Sequence, residues 1–275
     1  MSSGKICVFV SSSDRTRDVF LRVYSHFDRM WPGCPFDRYV GFTSCSSTEK
    51  VLGFNPVPSR GESCWAQELR EQIDALPPTH TFVLLLLDDF LMLKPIPAAD
   101  IERVLTDGVT GNLAYLRLKP VERSWVVSAV RRIAAIIRSQ RLSRLSPKEP
   151  YYSSLQAALW RRDHLLACLS KAESIWQFEH IVPSKAEHWA VTKQALLYCH
   201  TVEKALWGAT APALFRSVGL EFDPGRRPIH PRTYLLLLLW NKAKFGITGY
   251  TWVRLKRALK RRGTRRIAPT SRNTP

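Results

Sequence analysis

The most constraining stretch of this chain is Thr79–Pro95, THTFVLLLLDDFLMLKP. Its centre, Phe82–Leu87, is an unbroken apolar run halted by Asp88 and Asp89. A bilayer-spanning helix needs roughly 20 such residues, so this run is too short to cross a membrane. It suits a strand covered on both faces, as in a parallel sheet. Open α/β sheets bind ligands beyond the carboxyl ends of their strands, where Asp88 and Asp89 would stand. An acid pair also suits the N-terminus of a helix or a turn, and the local sequence leaves both readings open.

The flanking segments alternate in type. Lys5–Ser11 (KICVFVS) reads as a first strand, followed by Ser11, Ser12, Ser13 and Asp14, which offer hydroxyls and a helix cap. A helix is expected over about Arg15–Met30, where Val19, Phe20, Val23, Tyr24 and Phe27 recur at helical spacing. Arg38–Thr43 reads as a strand and Val51–Phe54 as a possible short one. Glu62–Leu76 reads as a helix with Trp65, Leu69, Ile73 and Leu76 on one stripe, stopped by Pro77-Pro78. After the central strand come a helix over about Ala98–Thr106 and a strand over Leu113–Leu118. Val126–Ile137 fits helix or strand, Ser139–Lys148 a basic loop, and Ser153–Trp160 a strand. A helix near Asp163–Lys171 and a turn or helix start at Ser174–His180 follow. Strands and helices in this alternation predict a parallel α/β sheet.

Charge narrows the partners. Lys and Arg number 41 against 23 Asp and Glu, a net charge of +18 and a pI near 10.1. Such a balance implies an anionic partner: nucleic acid, an acidic membrane surface or a phosphorylated ligand. From Pro231 onward basic residues crowd together, with Phe245, Tyr250, Trp252, Val253 and Leu255 among them. That mixture suits the surface of an anionic bilayer, and its charge would also attract nucleic acid; a solvated tail is the plain alternative. The six cysteines show no C-x-x-C pair, the histidines no metal-ligand spacing, and the N-terminus no signal-peptide core. Reduced thiols and a cytoplasmic location are therefore expected. Absence of a P-loop, a G-x-G-x-x-G and a G-x-S-x-G argues against a kinase, a dinucleotide enzyme and a serine hydrolase.

Chemistry-bearing candidates are few. Asp88 and Asp89 offer hard oxygens to Mg²⁺ or Mn²⁺, which needs only one or two carboxylates when phosphate and water complete its shell. Glu179 lies among large aromatics in Trp176-Gln177-Phe178-Glu179. Partial desolvation there would raise its pKa toward that of a useful general base; a capping or salt-bridged Glu is the structural alternative. Gln156 and Trp160 alternate on one face of the expected strand and would line a cleft, unless Trp160 is core. Trp65 could stack on a base or sugar, or pack in the core.

Taken in order, Leu86-Leu87-Asp88-Asp89-Phe90, Ser153–Trp160 with Arg161-Arg162, and Glu173–Glu179 resemble a family of bacterial glycosyltransferase-like proteins of surface-polysaccharide synthesis. Val202–Trp207 and Gly219–Arg227 fit the same pattern, so the resemblance covers about Lys5 to Arg227. It implies a GT-A-like α/β fold, mixed and mostly parallel, over residues 1–230. The nucleotide-binding half would take about 1–120 and the acceptor half about 121–230, with a basic helical extension over 231–267 and a disordered tail at 268–275. Ser11, Ser12, Asp14 and Trp65 would then lie near the nucleotide, and Asp88 and Asp89 at the diphosphate and its divalent cation. Gln156, Trp160, Trp176 and Glu179 would face the acceptor, with Glu179 as base. The implied partners are a nucleotide-sugar donor, a glycan or lipid-linked acceptor and the inner face of the membrane, rather than nucleic acid. Two positions depart from the pattern: Phe90 replaces the second acid of Asp-x-Asp, and Lys204-Ala205 stands for Lys-Gly.

Overall fold

The computed structural model describes residues 5–44, 49–61, 64–120, 141–147, 152–183, 187–203, 205–225 and 227–231. All but Pro231 fall in a compact unit that runs to His230. The segments Val126–Ile137 and 232–275, including the basic extension, lie outside the described residues.

Among the described residues twelve strands are formed: β1 (Ile6–Ser11), β2 (Asp37–Phe42), β3 (Asn55–Pro58), β4 (Phe82–Leu87), β5 (Phe90–Met92), β6 (Tyr115–Arg117), β7 (Leu142–Arg144), β8 (Ala158–Arg161), β9 (His188–Val191), β10 (Tyr198–His200), β11 (Val202–Glu203) and β12 (Leu206–Trp207). Eight of them make one sheet in the order β3-β2-β1-β4-β8-β6-β9-β7. Neighbours β3-β2, β2-β1, β1-β4 and β6-β9 are parallel, while β8 runs antiparallel to both β4 and β6, and β7 to β9. The architecture is the expected mixed, mostly parallel α/β sheet flanked by helices. Two ribbons, β5-β10 and β11-β12, are attached to it.

Alternate residues of the central strands enter two apolar layers. Ile6, Val8, Val10, Leu84 and Leu86 face α1 (Arg17–Val23), α2 (Phe27–Met30), α4 (Ala98–Thr110) and α7 (Ala211–Ser217). Cys7, Phe9, Val83 and Leu85 face α3 (Trp65–Asp74), α5 (Arg162–Leu169) and α6 (Ile175–Phe178). Each fully buried Phe or Leu contributes about 1.5–3 kcal/mol, which is why the run Phe82–Leu87 carries no polar residue. At Gly41 a side chain would collide with the Gln72 carboxamide, which lies over β2 and donates to Phe42 O at 3.1 Å.

Several sequence expectations shift. The helix expected over Arg15–Met30 breaks into α1 and α2, because Tyr24 and His26 turn inward. The Tyr24 hydroxyl donates to Leu87 O at 2.8 Å, and His26 Nε2 lies 3.1 Å from Met92 O. Val51–Phe54 is a one-pair antiparallel bridge around a turn, and the third strand is β3 just after it. Ser153–Trp160 is strand only from Ala158, and the expected loop at 139–148 contains β7, pinned by β9. No disulfide joins the described cysteines. Among the described residues no helix is long and apolar enough to cross a membrane.

Candidate active site

The carboxyl ends of β1, β4 and β6 and the start of the antiparallel β8 meet on one edge of the sheet. That register gathers Ser11, Ser12, Asp88, Asp89, Arg117 and Gln156 along this edge, although they come from distant parts of the chain.

Ser11 is buried at the end of β1, and its carbonyl accepts from Asp88 N at 3.2 Å. Beyond it the Ser12 hydroxyl donates to Asp88 Oδ2 at 2.9 Å and meets Thr16 Oγ1 at 3.3 Å. Burial, then the neighbouring Asp89 carboxylate, push Asp88 up to about 7; the Thr16 and Ser12 hydroxyls and the Arg227 guanidinium pull the other way. Asp14 braces a neighbouring loop instead, its Oδ2 accepting from Ser44 N at 2.8 Å and from the Ser44 hydroxyl. Its Oδ1 is buried without a partner.

Asp89 is buried, with its backbone carbonyl taken by Thr201 N and the Thr201 hydroxyl, both at 3.0 Å. Oδ2 lies 3.1 Å from His200 Nδ1, and Oδ1 is buried with no partner. The bonds around His200 fix their own direction. Ala157 N donates to the Tyr198 hydroxyl at 3.0 Å, and that hydroxyl donates to Gln156 Oε1 at 2.6 Å. The other Gln156 atom is thus its NH₂ group, which donates to His200 Nε2 at 3.3 Å. His200 is therefore the Nδ1–H tautomer and donates to Asp89. A run of four bonds from the Ala157 amide ends on the Asp89 carboxylate.

On the far side of Gln156 stands Glu179, the residue that closes α6. Its Oε1 accepts from Leu155 N at 3.2 Å. Burial raises its carboxyl above the usual range, against the Leu155 N–H and the nearby His180 and Arg117 side chains. Arg117 is buried at the end of β6 with Nε unpartnered. Arg227 is buried as well; it bonds Ala205 O, Arg15 O and Asp18 Oδ1, and its Nε is orphaned.

The other candidates separate. Trp160 is fully buried among Tyr115, His188 and Phe178, so it builds the core and does not line a cleft. Gln156 precedes β8 and reaches the edge, so the two share no strand face. Trp65 is half-buried at the start of α3, its ring 5.7 Å from Phe178, which places it beside the element bearing Glu179. Trp176 is 71% exposed on α6. Among the described residues no group of three or more His, Cys, Asp or Glu side chains could hold a metal ion.

Thr16, Arg117, Tyr198, His200 and Arg227 were not singled out as site residues by the sequence reading. His200 lies 111 positions from the aspartate it bonds, and nothing local marks it. Only the pairing of β5 with β10, Phe90 opposite His200, brings the two together.

No protein-family model and no curated protein sequence matches the chain. Among solved structures it aligns with S. aureus TarS 1-349 in complex with UDP-GlcNAc, at 11% identity and a TM-score of 0.45, over 80% of this chain and 68% of that one. A TarS 1-349 complex with UDP aligns at 12% identity and a TM-score of 0.42, over 80% and 67%. A longer S. aureus TarS chain aligns at 11% and 0.45, and this chain spans 37% of its length.

Proposed function

We propose that this chain is a glycosyltransferase that takes a sugar from a nucleotide-sugar donor and passes it to a glycan or lipid-linked acceptor. One observation carries the reading: adjacent aspartates end the central strand, with a hydroxyl loop on one side and a desolvated glutamate on the other. The Ser12–Thr16 loop and Asp88 and Asp89 would receive the donor diphosphate. A Mg²⁺ or Mn²⁺ ion fits the pair, since Asp89 Oδ1 is a buried oxygen without a partner and Asp88 is held up by burial and then by its neighbour's charge. When bound, the cation would supply positive charge to the departing diphosphate. Arg227, whose charge reaches Asp88, would add to it.

Glu179 would accept the proton of the attacking hydroxyl through Oε2, since Oε1 is committed to Leu155 N. His200, turned by Gln156 and Tyr198, is a positioning residue that aims Asp89. Exposed Trp176, one turn before Glu179, would meet the acceptor. The basic segment beyond Pro231 would draw the chain to an anionic membrane surface.

Release of nucleoside diphosphate from a panel of nucleotide sugars, UDP-GlcNAc first, tests the reading. Turnover with one nucleotide class, lost in Glu179→Gln, is expected. No release from any donor in the presence of Mn²⁺ and a glycan acceptor would refute it.

A further inference from the structure

On the same edge of the sheet, beyond the β5-β10 ribbon, lies a groove of about 380 Å³. That volume is in the range of small-molecule sites. One wall is the turn after β5 with the first face of α4, where Pro97, Asp100, Arg103 and Val104 recur at helical spacing. The other wall is Val191–Leu197 with Arg141. The walls are fixed by the backbone: Leu93 N donates to Leu197 O at 2.9 Å, Ala195 N to Leu118 O at 3.1 Å, and Thr192 N to Arg141 O at 2.8 Å.

Lys94, Arg103, Arg141 and Lys193 surround this groove, against the single acid Asp100. None of the four cations takes part in an ion pair with a described residue. The N-terminus of α4, thirteen residues long, opens at the same end, and its N-cap Pro97 gives it no side-chain cap. Positive side chains around an uncapped helix start suit a phosphate. The floor is a different chemistry: Ile96, Val104, Val191, Ala195 and Leu197 are apolar. A bare anion leaves that floor wet, and a neutral lipid leaves the cations unused.

We propose that the groove binds an anionic amphiphile, with its phosphate among the four cations and its apolar chain along the floor. Resting on the glycosyltransferase reading above, the occupant is the phosphate-bearing end of a lipid-linked acceptor. The ribbon that carries Phe90 and His200 at one end reaches Leu93 and Leu197, beside Lys94, at the other, about 10 Å away at strand spacing. A lipid phosphate held here lets the attached sugar reach toward Glu179 and Asp89 while the head stays fixed.

Calorimetric titration of the full chain with dodecyl phosphate below its micelle concentration tests the proposal. Inorganic phosphate and dodecyl maltoside serve as single-feature controls, and UDP-sugar thermal shifts as an independent readout. Expected are saturable binding of dodecyl phosphate and affinities at least tenfold weaker for both controls. The double variant Arg103→Glu with Lys193→Glu, both exposed, should lose at least tenfold in amphiphile affinity and keep its donor response. Equal binding by the variant, or by dodecyl maltoside, would overturn the site, and inorganic phosphate binding as tightly would reduce it to an anion site. Donor binding without amphiphile binding would overturn this inference and leave the transferase reading standing. Amphiphile binding in a chain that answers to no donor would sink the acceptor assignment.

Discussion

Two regions of this molecule bury ionisable groups, and they do so in opposite ways. On the α3–α6 face, His188 is fully buried, its ring stacked on Tyr152 at 4.2 Å. Its Nδ1 lies 3.0 Å from Tyr152 O and must donate, so its Nε2 accepts from His164 Nε2–H at 2.9 Å. Its main-chain N–H goes to the Tyr152 hydroxyl at 3.1 Å. Burial pushes His188 down to about 4 and lowers His164 as well. That cluster is closed on itself; its loose end is Trp160 Nε1, an indole N–H packed among rings. At the strand end, by contrast, Asp89 Oδ1, Arg117 Nε and Arg227 Nε are all buried without partners. Unpaired buried polar atoms cost about 1–3 kcal/mol each. Burial of a charge is therefore a poor mark of function by itself. Open valences of both signs converging on one edge are a better one.

That contrast can be broken by mutation. Asp89→Asn should cut turnover on the order of a thousandfold while the thermal midpoint barely moves. His188→Ala should do the reverse, costing about 3–5 kcal/mol through a cavity and two stranded partners, with activity per folded molecule kept. Parallel kinetics and urea melts read both. If Asp89→Asn destabilises the fold and leaves turnover per folded molecule intact, the two regions have been assigned the wrong way round.

Glu179→Gln should lower kcat by roughly 10²–10⁴-fold and leave the donor KM unchanged. Equal losses in kcat and donor affinity would make Glu179 a structural residue of α6.

Acid should separate the regions further. His188 and His164 bind protons more weakly in the fold than in the unfolded chain, so their contribution is full above about pH 6.5. It is lost as pH falls below that, toward 4 in the case of His188, with roughly 2 kcal/mol already gone for His188 at pH 5. Asp88 has the opposite slope, because its raised value makes the fold lose stability as pH rises from about 4 to 7. Urea melts in EDTA at pH 5, 6 and 7.5 measure this. Asp88→Asn should flatten the neutral-side slope alone, and a slope unchanged by that substitution would remove Asp88 from the buried pair.

The smallest effect concerns Ala205, which adopts a left-handed backbone at φ +64° in the turn between β11 and β12. Ala205→Gly should change stability by no more than about 1 kcal/mol, toward higher stability, with unchanged kinetics.

Much of the fold was legible because it is written in short-range pattern. Phe82–Leu87 has no polar residue since both its faces are covered, and the stripe Leu69, Ile73 and Leu76 marks α3 and its end. Asp88 and Asp89 could be placed at a strand end for the same reason. Ala205 stands where the resemblance led to an expectation of glycine, and its positive φ is a backbone state that glycine adopts more readily. What stayed hidden depends on pairing across the chain. Trp160 read as cleft-lining because Ser153–Trp160 looked like one strand, whereas strand geometry starts at Ala158 and turns the indole into the core. The relay from Ala157 through Tyr198, Gln156 and His200 to Asp89 joins three segments, and no local spacing announces it. The break between α1 and α2 is likewise set by bonds to Leu87 and Met92, far along the chain.

The most direct test is a thermal-shift screen of the wild type and Asp89→Asn against UDP-, GDP-, CMP- and dTDP-sugars, with and without Mn²⁺. A ligand that binds the folded state raises its melting temperature by mass action. One nucleotide class should stabilise the wild type, more strongly with Mn²⁺, and the metal-dependent part should vanish in Asp89→Asn. Stabilisation by no donor, or an identical response in the variant, would contradict a donor site at the end of β4.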